Sequence, residues 1–115
     1  MLKATFEQED YKLTLKLEGH AGQADIGHDI VCASASILAY TVAQFVKEAE
    51  TSGYLKSLAK IELESGDSII SCEPKGEWLK DMQQIYLFAE KGYELLAHNY
   101  PQYVELKPFS RLFSH

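Results

Sequence analysis

The chain has 115 residues, of which 46% are hydrophobic and 24% charged, and it carries a net charge of -6. These values fit one globular domain over 1–115, long enough to bury a core without metal or disulfide staples. The acidic balance, with no cluster of Lys and Arg, argues against direct nucleic-acid binding, which needs such a cluster for its phosphate contacts.

The N-terminal "MLKATFEQED" reads as a strand and has no apolar signal core. Leu2, Ala4 and Phe6 fall on one face, and Lys3, Thr5 and Glu7 on the other. After a polar turn over "EQED", Tyr11, Leu13, Leu15 and Leu17 alternate with Lys12, Thr14, Lys16 and Glu18. A period of two with one polar face predicts an antiparallel hairpin. No apolar run is expected to reach membrane length, so the expectation is a cytoplasmic protein with no membrane contact and with Cys32 and Cys72 reduced.

Gly19 to His28 reads as a loop, and the period changes at Asp29. Val31, Ala35, Leu38, Val42, Phe45 and Ala49 form a helical stripe, flanked by a weaker one through Ile30, Ser34, Ile37 and Thr41. Asp29 is placed to cap this helix and Gly53 to end it. A second hairpin follows. Ala59, Ile61 and Leu63 alternate with charged residues, "SGD" turns the chain, and Ile70 and Cys72 share the next inner face. A second helix starts near Glu77, with Trp78, Met82, Ile85, Ala89 and Leu96 at helical spacing and Tyr86 and Tyr93 on its flanks; Pro101 bounds it. The segment "YVELKPF" has room for one short edge strand. The predicted fold class is α+β: a two-layer sandwich, ββαββα with that optional final strand, its mainly antiparallel sheet carrying both helices on one face.

The stretch "GHAGQADIGHDIVCASAS", from Gly19 to Ser36, gathers the chemistry-bearing residues. His20 follows the second strand and Cys32 falls in the predicted first turn of the helix. There, unpaired N–H groups and the positive end of the helix dipole favour a thiolate. Beside a His, such a Cys becomes a thiolate–imidazolium nucleophile. The N–H groups of Cys32 and Ala33 are candidate donors to an oxyanion, and His20 is the candidate proton donor to a leaving amine. Asp29 orients His20 or only caps the helix. Ser36, one turn beyond Cys32, bonds near the thiolate or back to a helix carbonyl. Gly19, Gly22 and Gly27, with Ala21, suit a loop that approaches a substrate backbone.

Other readings of the same residues stay open. A Cys in an apolar helix is often a plain buried thiol. His20, Asp25, His28 and Cys32 are zinc-ligand types without a zinc spacing. A Gly-rich loop before a helix can cradle phosphate, but no Walker pattern accompanies it.

"EGHAG" followed by "GHDIVCASAS" resembles the double motif of the ribosomal-processing cysteine proteases Prp, the YsxB-like family. The matching residues are Gly19, His20 and Ala21, then Gly27, Asp29, Ile30, Val31, Cys32 and Ala33, and finally Ser36. The closing "NYPQYVEL" and the order of elements extend the likeness over nearly the whole chain. The departures are Ser34–Ala35, where a larger residue is common before the Ser, and Gln23, Ile26 and His28 in the loop. The resemblance implies a Cys32–His20 dyad without cofactor. It implies a homodimer whose substrate is the N-terminal extension of the large-subunit ribosomal protein L twenty-seven, recognised through a short segment rich in aromatic residues. The alternative is a ribosome-assembly protein that holds a peptide in the same loop without cutting it.

Overall fold

A computed structural model describes residues 1–20 and 26–109, with 26–29 described by their backbone alone. Strands β1 (Leu2–Glu9) and β2 (Lys12–Glu18) form the first hairpin, and β3 (Lys60–Glu64) and β4 (Asp67–Cys72) the second. Helix α1 spans Ile26–Thr51 and α2 spans Leu79–Asn99, the latter entered through a short 3-10 turn at Gly76–Trp78. The closing segment does form a strand, β5 (Val104–Lys107).

The sheet order is β3-β4-β2-β1-β5. All pairings are antiparallel except β1 with β5, which run parallel, with Leu2 opposite Val104. The α+β sandwich predicted from the alternating strands is therefore present, closed at one edge by a parallel strand. The first turn is tighter than "EQED". β1 continues to Glu9, which pairs with Lys12, and only Asp10 and Tyr11 make the turn, Asp10 at φ 53°.

The inner face of the sheet presents Ala4, Phe6, Leu13, Leu15 and Ile70, all nearly inaccessible to solvent. On the outer face, Thr14 and Ser71 share a hydroxyl–hydroxyl hydrogen bond of 3.1 Å. From α1, Val31, Ala35, Ala39, Val42, Ala43, Val46 and Ala49 enter the core. This differs from the predicted stripe, because Phe45 is exposed and Leu38 only half-buried. The helix is apolar on most sides, so periodicity alone does not select the buried one. The small alanines let the backbone come close, and the bulky Ile37 and Phe45 are left outside. On α2, Tyr86 and Tyr93 are the centre of the buried face rather than its flanks. Their hydroxyls donate to the carbonyls of Ile70 (3.0 Å) and Ala35 (2.7 Å), which makes full burial affordable.

The expectation about apolar runs does not hold for α1. Its Ile30–Thr51 segment of 22 residues is long and apolar enough to cross a membrane by length and composition. A core helix meets the same criterion, and here one side of it packs in the core. Its C-terminus ends as the sequence predicts. Gly53 sits at φ +78°, its N–H donates to the Glu50 carbonyl at 3.1 Å, and the Tyr54 N–H reaches the Ala49 carbonyl at 2.9 Å. That pair of bonds is a Schellman cap.

Candidate active site

β2 pairs with β4 so that Glu18 lies opposite Asp67. This register sets the β3–β4 turn beside the end of β2. The Gly19 N–H donates to the Gly66 carbonyl at 3.0 Å, tying the start of the motif loop to that turn. Gly19 also passes so close to the chain start that an added Cβ would lie 2.5 Å from the Met1 carbonyl oxygen. His20 comes next, exposed, with its imidazole over Gly66.

Cys32 approaches from α1, and here the sequence reading needs correction. The helix begins at Ile26, three residues before Asp29. Asp29 therefore lies inside the helix and not at the cap position. Cys32 belongs to the second turn and not the first. The helical ladder commits the N–H groups of Cys32 and Ala33 to the carbonyls of His28 and Asp29, so neither is an open oxyanion donor in this conformation. The macrodipole is felt mainly in the first turn, so it acts only weakly at Cys32. Gly27 is likewise helical rather than part of a loop. Ala21, Gly22 and Asp25 lie outside the described residues, as does the side chain of His28, so the zinc alternative rests largely on groups outside them. Within the described residues no three His, Cys, Asp or Glu cluster as metal ligands.

His20 and Cys32 line one cavity of about 320 Å³, with Gly19 and Ser36 also on its wall. Cys32 is half-buried. Leu2, Leu17 and Leu63 give the cavity an apolar side, while Glu64 and Asp67 stand on its wall from the second hairpin, and Tyr40 from α1. Those hairpin residues were not anticipated. "SGD" marks a turn in the sequence, but only the β2–β4 register brings that turn to His20.

Cys72 shows the contrast. It is buried in β4, 3% exposed, with the Tyr86 hydroxyl 3.7 Å from its sulfur. Burial pushes its thiol up to about 11, so at neutral pH it stays protonated and inert.

The fold is similar to that of SMU.848 from Streptococcus mutans, with TM-score 0.68, 25% identity and 96% of each chain covered. It is also similar to the essential ribosomal processing protease Prp from S. aureus. With a covalently linked product peptide, that structure gives TM-score 0.66 at 19% identity, covering 94% of this chain and 99% of that one. With a substrate peptide it gives 0.67 at 18% identity over the same shares. No curated protein matches the chain in sequence. The family model of cysteine protease Prp, however, matches residues 1–105, a span that contains both sides of the cavity. The chain thus belongs to the cysteine protease Prp family and is a cysteine protease.

Proposed function

We propose that this protease removes the N-terminal extension of ribosomal protein L twenty-seven, with Cys32 as nucleophile and His20 as general base and acid. The observation that carries the dyad is the shared cavity wall of His20 and Cys32. His20 takes the thiol proton and the Cys32 sulfur attacks the scissile carbonyl carbon. The C–N bond then breaks, with the proton passing from His20 to the leaving amine. Water next attacks the thioester, His20 accepts its proton, and the C–S bond breaks to release the acid and regenerate the thiol.

The substrate assignment is supported by the motif and by the S. aureus relative, which is a ribosomal processing protease crystallised with peptide. A net charge of -6, with Glu64 and Asp67 beside the dyad, suits a basic ribosomal protein. The setting proposed is the cytoplasm. Ser36, one turn from Cys32 on the cavity wall, is a polar neighbour on α1 that the motif supplies.

A homodimer is part of the same proposal. Between α1 and α2 runs a groove of about 500 Å³ lined by Ile37, Val42, Phe45, Ile85 and Phe88 among others, with no charged residue. Phe88 is 76% and Ile37 61% exposed, an apolar surface of the kind that a partner covers. Tyr40 touches both the edge of this face and the dyad cavity.

The test is a synthetic peptide spanning the extension and the mature start of the L twenty-seven precursor. The wild-type protein cuts it at one bond, Cys32→Ala does not cut it, and His20→Ala slows cutting by roughly 100-fold or more. Tight binding of the peptide without any cleavage would overturn the substrate assignment.

A further inference from the structure

Gly66 lies in the turn between β3 and β4, far in sequence from both motifs, yet it is the residue on which the His20 ring rests. Its φ of +79° belongs to the left-handed region. A Cβ built on it would come 2.6 Å from His20 Nε2 and 2.9 Å from Cε1. No real Cβ sits that close, so any side chain at 66 displaces the imidazole. The backbone at the same place is tied to the residue before His20 by the Gly19 N–H···O bond of 3.0 Å to Gly66. One residue therefore holds the chain that carries the ring and also leaves the space the ring occupies.

We infer that Gly66 is a positioning residue for catalysis: the bare turn of the second hairpin is the seat that aims the His20 imidazole into the cavity it shares with Cys32. This rests on the assignment of His20 and Cys32 as the dyad. The physical reason is geometric. Proton transfer needs hydrogen-bond reach, and a displacement of about 1 Å can cost 100-fold in rate. Gly66 also lies on the cavity wall, but the role inferred for it runs through His20, and the turn needs its left-handed backbone for a separate reason.

These two demands are separable. Asn accepts positive φ better than other residues with a side chain, so Gly66→Asn keeps the turn but fills the seat. Gly53 supplies the control: its φ is +78°, and a Cβ there meets nothing within 4 Å. The experiment measures peptide cleavage and the rate of Cys32 alkylation by iodoacetamide, in the wild type and in a His20→Ala background. Gly66→Asn should lower kcat/KM and alkylation by about tenfold to 100-fold in the wild type, with the loss mainly in kcat. It should change alkylation less than about twofold when His20 is already absent, the signature of two residues acting as a unit. Gly53→Asn should leave both readouts unchanged. An equal loss from Gly66→Asn in both backgrounds overturns the inference while leaving the dyad intact. If His20→Ala itself alters neither cleavage nor alkylation, the dyad assignment has failed instead. Should Gly66→Asn not fold, NMR of the wild type decides the matter: an NOE between the His20 Hε1 and Gly66 Hα protons is expected, and its absence overturns the seat.

Discussion

Two thiols in one small chain occupy opposite environments, and the difference follows from which element carries each. Cys32 is half-buried on a cavity wall, and Cys72 is sealed under α2 against the Tyr86 hydroxyl. Cys72 stays protonated in the folded protein up to about 11, against 9.0 for the free group. Its contribution to stability is therefore fully present below pH 9 and is lost as pH rises from 9 through 11, because only the unfolded chain releases the proton in that window. Urea unfolding across pH 8 to 11 should show a fall in stability of which Cys72→Ala removes a part on the order of 2 kcal/mol. Tyr86 and Tyr93 are raised in the same direction by burial and extend the loss to higher pH. At this scale the sequence was informative about chemistry and silent about neighbours. His20, Cys32 and the buried character of Cys72 follow from residue type and position. Gly66 does not, because its role depends on strand register between segments more than 40 residues apart.

The elements depend on two tyrosines that span from α2 to the layers around it. The Tyr93 hydroxyl donates to the Ala35 carbonyl at 2.7 Å, one turn after Cys32, and so fixes the cavity-lining part of α1 against α2. Tyr93→Phe removes that bond inside a buried site and should cost about 1 kcal/mol, read as a lower denaturation midpoint with an unchanged m-value. The alternating strands were legible because each has a polar face, and the Schellman end of α1 because Gly53 marks it. Two features of α1 were not. Its start moves from Asp29 to Ile26, since a cap is a weak signal where several polar residues precede the apolar run. Its buried side moves to the alanines, since a helix apolar all round has no preferred face until a sheet and a second helix select one. The shifted start bears on the proposed mechanism: it takes Cys32 out of the first turn, so the proposed activation rests on His20 rather than on the helix dipole.

For the molecule as a whole, the sheet covers one side of the helical layer and the other side remains apolar. The proposed homodimer closes that face. Phe88, 76% exposed on the groove wall, is the residue at which an introduced charge should matter most. Phe88→Glu should yield a monomer in sedimentation at concentrations where the wild type is a dimer, because a carboxylate buried without a partner is strongly disfavoured. An unchanged dimer would place the interface elsewhere.

The central claim is that Cys32, and not Cys72, becomes covalently attached to the peptide during turnover. Trypsin separates the two thiols, with Cys32 in the fragment 17–47 and Cys72 in 61–75. Acid quenching during cleavage of the extension peptide, followed by mass spectrometry of the fragments, should find the acyl mass on 17–47 alone. An acyl group on 61–75, or efficient cleavage by Cys32→Ala, would contradict the account.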